Sequence, residues 1–311
     1  MCIRDRVNGE NPLVARVTVN RWWAELFGAG IVATLEDFGT MAQPPTHPKL
    51  LDWLAVEFVE SGWDMKHVLK AMVMSSTYRQ SSKVTPELYE ADQKNSWLAR
   101  GPRFRMTAEM VRDNALAVSG MLSTKAEGEP IMPHQPSGIW RQVGRNEPKW
   151  IDETDEDRYR RGVYVIWRRA APYPSFVNFD APDRGSCVVS RPRTNTPLQA
   201  LTLMNDPVYV ELSLALANRL LSEKPEASAE ERIQHAFELV LSRPAEKAEL
   251  NHLKGVIKER TDSLSPEEVE SLIDSEGIDY QPNESLDKTE LAAWFYVASI
   301  LLNLDETITK G

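Results

Sequence analysis

The chain has 311 residues, with 36 Lys+Arg against 46 Asp+Glu and a formal net charge of −10. Hydrophobic residues make up 42% and charged residues 26%, ordinary globular usage, which excludes wholesale disorder. Two cysteines are too few for a disulfide scaffold, a four-cysteine zinc site or an iron–sulfur cluster, and no stretch is apolar for long enough to span a bilayer as a helix. The charge is uneven. From Leu221 to Gly311 there are 9 basic and 20 acidic residues, a net of −11, so the remaining 220 residues carry a net of +1. That acidic end argues against nucleic acid as a partner.

Residues 1–6 do not share the pattern that follows. They lack the apolar stretch and cleavage site of a signal peptide and read as a non-native leader ahead of a lost upstream region. Residues 7–311 then read as one domain in three stretches: N-terminal helices over 11–119, an irregular arginine-rich middle over 120–195, and C-terminal helices over 196–311.

The first helix opens at Asn11-Pro12, carries Val17, Trp22, Trp23, Leu26 and Phe27 at three- and four-residue spacing, and stops at Gly28 and Gly30. A second starts at Thr46-His47-Pro48 with Trp53, Leu54, Val56 and Phe58 on its apolar side. Asp64 caps a third whose Met65, Val68, Leu69 and Met72 face inward. Thr85-Pro86 starts a short helix, and Thr107 caps another through Val118. Residues 119–157 are rich in Gly, Pro and charge and read as a long irregular segment. The β-branched and aromatic run Arg161–Arg168 predicts a small β element near 162–168, with Cys187–Ser190 as an extended stretch able to pair with it.

Thr196-Pro197-Leu198-Gln199 is a capping-box helix start, and Asn205-Asp206-Pro207 breaks the helical pattern that runs on to about Leu221. Further helices are predicted near Ala229–Leu241 and Ala245–Thr261, from a second capping box at Ser265, and over Leu291–Leu304. The fold class is therefore mainly α, a multi-helix bundle-like body with one small β element.

No complete catalytic motif is present. The five histidines include no pair three or four residues apart, so no helix offers two imidazoles to one metal, and no metal site is assigned. Asp37-Phe38-Gly39 lacks the Gly-rich loop and catalytic loop of a kinase, and there is no G-x-S-x-G, Walker loop or dinucleotide fingerprint. No C-x-x-C-H occurs, so this chain attaches no c-type haem in the usual way. Cys187 lies among Arg184, Arg191 and Arg193; a half-buried structural cysteine is favoured over a reactive thiol.

Ten arginines fall between Arg141 and Arg193, with lysine nearly absent. Planar guanidinium groups suit bidentate recognition of carboxylates, phosphates or sulfates. For any single arginine, ion pairing with the nearby acids Asp152, Glu153, Asp155, Glu156 and Asp157 is favoured over that reading. Trp140, Trp150 and Trp167 lie in or beside this stretch, where core packing is favoured over stacking on sugars or bases. Arg168, Arg169, Arg191, Arg193 and the Thr196 helix cap are the candidate anion-binding residues. Asp180 or Asp183 filling the same place is the intramolecular alternative. Asp37, His47, Arg79, Asp180 and Asp183 are further candidates. Convergence of His47, Asp37, Arg79, Asp180 and Arg191 on one pocket would mark an active site; scatter would mark structural roles.

The stretches from Asn11 to Trp23, Phe27 to Gly39, Pro45 to Leu54 and Ser76 to Ser82, with Phe179–Asp183, Thr196–Leu201 and Leu302–Glu306, resemble one family. It is the planctomycete cytochrome-c-associated PSD-one domain, the domain-of-unknown-function family fifteen fifty-three, and the resemblance spans nearly all of Asn11–Lys310. Recurring family residues fall here at Asn20, Arg21, Asp37, His47, Tyr78, Arg79, Asp180, Asp183, Arg191, Thr196 and Gln199. The resemblance implies an exported, periplasmic or cell-surface protein of which this chain is the C-terminal part. It also implies haem c in an upstream region and upstream domains of the same polypeptide as partners. It brings no reaction and no catalytic residues. The leading expectation is an accessory or scaffold module without chemistry of its own. The alternative is a module that binds or degrades an anionic, sulfated polysaccharide through the arginine-rich middle.

Overall fold

The computed structural model describes residues 11–139 and 149–311. The expected leader, Trp140, Arg141 and Arg145 lie outside them. Among the described residues the chain is mainly α, with thirteen α-helices and a single two-stranded sheet of β1 (Phe104–Arg105) with β2 (Thr309–Lys310). It divides into two compact units, one of residues 1–104 with 309–311 and one of residues 105–308. The division falls between Phe104 and Arg105, so the helix ending at Ser119 packs with the C-terminal helices rather than with those before it.

The first unit is built on α1 (Pro12–Phe27), α2 (Pro48–Glu60) and α3 (Met65–Met74), followed by the short α4 (Ser76–Arg79) and α5 (Pro86–Ala91). Asn11 caps α1 through Leu13 N, Pro12 fits its first turn, and Gly28 ends it in the left-handed region at φ 82°. Ala15, Val19, Trp23 and Phe27 form one buried stripe, packed on Leu51, Leu54, Ala55 and Phe58 of α2 and on Val68 and Met72 of α3. Trp23 stacks on Phe27 with ring centres 3.8 Å apart, and Trp22 meets Phe58 edge-on.

Three expected core residues are corrected. Trp53 is 52% exposed, Val56 50% and Met65 48%. Each helix buries a stripe set by 3.6-residue periodicity: Leu51, Leu54, Ala55 and Phe58 fill that of α2, off which Trp53 and Val56 fall, and Met65 stands at the first residue of α3, ahead of the buried Val68 and Met72. Lys310 donates to Leu26 O at 2.8 Å, placing a cation on the carbonyls that end α1.

The second unit centres on α9 (Pro207–Glu223) and α13 (Lys288–Leu302), which pack along each other. Both are buried on most sides, with Leu212, Leu216, Leu220, Trp294, Val297 and Leu301 nearly inaccessible. Around them lie α6 (Ala108–Ser119), α8 (Pro197–Asn205), α10 (Ala229–Leu241), α11 (Lys247–Ser263) and α12 (Pro266–Ile273), with the one-turn-plus α7 (Pro174–Asn178) in the middle segment. Asp206 separates α8 from α9: its side chain accepts from Val208 N, and Pro207 opens the next helix. Ser228 and Ser265 form complete capping boxes with Glu231 and Glu268. Thr196 supplies half of one, because the Gln199 side chain turns to Thr194 instead.

The β element expected over 162–168 is reduced to a 3₁₀ turn at Gly162–Tyr164 and a parallel bridge between Ile131 and Val165. The cause is local. Gly162 N and Arg161 Nε both donate to the Asp113 carboxylate of α6, so a side chain takes the place a neighbouring strand would occupy. Cys187–Ser190 is exposed and forms no strand.

The middle segment is tied to the helices by buried charge. Arg158 donates to Glu211 from Nε at 3.2 Å and from Nη2 at 3.1 Å, and both residues are under 5% exposed. Glu211 also accepts from the Tyr159 hydroxyl and from the backbone N–H groups of Asp279 and Tyr280. Burial first, and then the Glu211 charge, push the Tyr159 phenol up. Removing one partner of a buried pair leaves an uncompensated charge. Glu211→Ala is therefore expected to cost about 3–5 kcal/mol in urea unfolding. The double replacement Arg158→Met with Glu211→Leu is expected to cost clearly less than the sum of the two single changes.

Candidate functional site

The acidic and basic groups of α6 lie at three- and four-residue spacing, so Glu109, Arg112 and Asp113 share one side of the helix. All three hold the middle segment. Arg191 donates to Glu109 at 2.7 Å. Burial would push the Glu109 carboxyl up, but the Arg191 hydrogen bond and a backbone N–H of its own first turn outweigh it and hold the group below the ordinary range. Asp113 takes Arg161 and Gly162 as described. Arg112, 1% exposed, donates from Nη2 to Arg158 O at 2.7 Å. Its Nε and Nη1 are buried without a hydrogen-bond partner.

Close to Arg112 is a set of half-buried and buried ionisable groups. Asp206 is the first: burial pushes its carboxyl up, opposed by the hydrogen bond from Val208 N and by the charges of Arg112 and His134. Tyr173 and Tyr209 are the others, their phenols pushed up by burial and by Asp206. The Tyr173 hydroxyl donates to His134 O at 3.1 Å, and the His134 ring meets Asp152 through Nδ1 at 2.6 Å. The His134 ring also packs against Gly277, where a Cβ would lie 2.4 Å from Nε2 and where φ is 88°. Only glycine fits there.

A second polar knot sits at the start of α8. Asp180, at φ 60°, accepts from Thr194 N at 2.7 Å and from Thr194 Oγ1. Gln199 Nε2 donates to the same hydroxyl at 3.3 Å, while Gln199 Oε1 is buried without a partner. Asp183 accepts from Gly185 N in a local turn. The candidate anion-binding residues divide accordingly. Thr196 accepts from Gln199 N as a helix cap, and Arg191 is committed to Glu109. Arg168 is half-buried, and Arg169 and Arg193 are exposed. Asp180 reaches Thr194, two residues before the cap, so an acidic side chain of the chain itself sits beside the helix start.

Of the other arginines in the middle, Arg158 and Arg160 are buried. Arg160 donates to the carbonyls of Lys125, Glu127 and Glu129 and lies over the Tyr164 ring. Arg184 lies over Trp167, 5.2 Å from the ring centre. Cys187, expected to be half-buried, is exposed and free.

In the first unit Asp37, His47 and Arg79 are each engaged locally or exposed. Asp37 Oδ1 accepts from Gly39 N at 2.7 Å, and His47 Nδ1 meets Thr46 Oγ1 at 3.0 Å. Arg79 is exposed at the end of α4. Asp180 and Arg191 belong to the second unit.

Phe38 and Pro48, the chain neighbours of Asp37 and His47, nonetheless line a cleft of about 250 Å³, whose walls include Val32, Pro44, Pro45 and Leu51 and whose edge carries Arg16 and Asp52. The cleft is preformed. The Asn20 amide donates to Val32 O and accepts from Val32 N, Thr46 N donates to Ile31 O, and a Cβ on Gly30 would lie 2.4 Å from Val32 O. Among the described residues no three His, Cys, Asp or Glu side chains are grouped as metal ligands.

Sequence reading missed the polar side of α6, Glu211 and the Arg16–Asp52 edge. A signal was present in two cases. Glu109, Arg112 and Asp113 recur at helical spacing, and Glu211 lies inside an apolar run from Val208 to Leu216. The raised Asp206 carboxyl gives a pH prediction. Its neutral form is favoured in the fold, so its ionisation weakens stability at neutral pH, and that cost fades as pH falls toward the ordinary value of 3.8. Asp206→Asn, which keeps a cap acceptor, is expected to raise the Tm at pH 7, with the gain shrinking toward pH 4.

Neither a curated protein nor a solved structure matches the chain. The family PSD1, described as "Protein of unknown function (DUF1553)", matches residues 5–257, most of the chain's length, and the chain belongs to that family.

Proposed function

We propose that this chain is an accessory module, without turnover of its own, in an exported multidomain bacterial protein of the planctomycete cytochrome-c-associated kind. In that protein it scaffolds neighbouring domains. The observation that carries the reading is where the motif charges go. Arg158, Arg160, Arg161 and Arg191 are spent on Glu211, on backbone carbonyls, on Asp113 and on Glu109. A catalytic constellation instead leaves a nucleophile and its base facing open space. The residues of this chain do not fit attachment of haem c, for no C-x-x-C-H is present, so the haem of this proposal belongs to upstream domains of the same polypeptide.

The test is direct. The purified chain, assayed with ester, phosphate-ester, sulfate-ester and redox-dye substrates, is expected to show no turnover that a single substitution abolishes. A rate lost on His134→Ala, Asp206→Ala or Cys187→Ala would sink the accessory reading.

A second reading rests on one contact. Arg184 lies over Trp167, an aromatic and cationic combination suited to anionic sugars, and Arg169, two residues from Trp167 in the chain, is exposed. If this pair binds sulfated polysaccharide, the chain is retarded in an affinity gel containing a sulfated glycan at low salt, and Arg184→Ala removes the retardation. Unretarded migration in such gels leaves the accessory reading alone.

A further inference from the structure

The cleft of the first unit has the build of a recognition site. Its interior is apolar, walled by Val32, Phe38, Leu51 and the Pro44–Pro45 pair. At about 250 Å³ it is smaller than the roughly 300–1,000 Å³ of sites that enclose a whole drug-sized ligand, and it suits one large side chain. Its edge carries both a donor and an acceptor. Arg16 Nε donates to Asp52 Oδ1 at 2.8 Å and Nη1 donates to Pro12 O. A guanidinium has five N–H groups and a carboxylate about four acceptor positions, so both groups keep capacity beyond the bond between them. A paired cation and anion form a locally neutral edge. That edge favours a neutral group with its own acceptor and donor, the carbonyl and N–H of a peptide bond, over a free ion.

The surroundings extend the site beyond a small molecule. Leu13 lies three residues before Arg16 on α1, and Val56 lies four residues after Asp52 on α2, so each shares its helix face with one member of the pair. Leu13 is 47% exposed and Val56 50%, and Met41, beside Ala42 of the cleft wall, is 88% exposed. Exposed apolar residues grouped around a cleft with a polar edge mark a surface for a polypeptide partner.

We propose that this cleft docks an extended segment of another polypeptide. The segment seats an aromatic side chain between Phe38 and the Pro44–Pro45 wall and lays its backbone amide on Arg16 and Asp52. The inference deepens the accessory reading by naming the surface through which the module engages a partner chain.

The probe is N-acetyl-phenylalaninamide, titrated into the methyl-labelled full chain. Saturable shifts are expected at the Val32 and Leu51 methyls, with Val68 in the neighbouring core unmoved. N-acetyl-glycinamide, which lacks the ring, is expected to give no saturable shift. 3-Phenylpropionate, which lacks the amide, is expected to bind at least about tenfold more weakly. Ala42→Trp, which fills the cleft from its wall, is expected to abolish the shifts. Arg16→Ala and Asp52→Ala, both at the surface, are each expected to weaken binding while leaving the rest of the methyl spectrum in place.

No saturable shift with the phenylalanine amide overturns the proposal, and so does binding that survives Ala42→Trp. Equal binding of 3-phenylpropionate, or indifference to both edge substitutions, overturns the peptide assignment. These outcomes are separate from the turnover assays. A silent cleft in a chain without turnover removes the docking site alone, whereas turnover in a chain that binds the probe removes the accessory reading alone.

Discussion

The buried contact between Glu211 and Arg158 is the constraint on which the second unit depends. A carboxylate in the middle of an apolar helix is costly unless its oxygens are filled, and here Arg158, Tyr159 and the backbone N–H groups of Asp279 and Tyr280 fill them. Those partners come from separate stretches of chain. One charged group on α9 therefore fixes the middle segment and the loop before α13 against the same core. Gly277 belongs to this arrangement, since its carbonyl accepts from Arg158 and its bare Cα lets the His134 ring pack on it.

The same logic explains the arginine-rich middle. Lysine, a point charge on a flexible stem, cannot satisfy several carbonyls at fixed angles, whereas one guanidinium can. Arg160 does this with the loop at 125–129, and Arg112 reaches the Arg158 carbonyl from α6. A long segment with little regular structure needs partners for its backbone groups, and arginine and aspartate side chains supply many of them in place of a sheet. Arg158, Arg160, Arg161 and Arg191, of a residue type that suggests an anion-binding site, serve here as internal fasteners.

The proposed docking site is the preformed cleft. The cleft owes its shape to Asn20, which bonds both backbone groups of Val32 as a neighbouring strand would, and to Gly30, whose missing side chain lets the chain pass close to that carbonyl. A site held this rigidly meets a partner without first ordering itself, which lowers the entropic cost of binding. Asp37 and His47 stand next in the chain to Phe38 and Pro48 of its lining, Asp37 accepting from Gly39 N and His47 meeting Thr46.

The helices are dictated by contiguous residues. Pro12, Pro48, Pro197 and Pro207 start them, Asp64, Ser228 and Ser265 cap them, Gly28 stops one, and all of these act through neighbours within four residues. The predicted span Ala229–Leu241 and the break at Asp206 match the structure for that reason. Tertiary structure alone decided the rest. The strand expected over 161–168 yields to Asp113, 49 residues away along the chain from Gly162. Trp53 is left in solvent because other residues fill the α2 stripe, and Arg191 goes to Glu109, 82 residues distant, rather than to an adjacent acid. Local capping and periodicity are written in contiguous residues. The partner of a buried charge is set by which distant segment the packed core brings beside it, and no spacing along the chain records that.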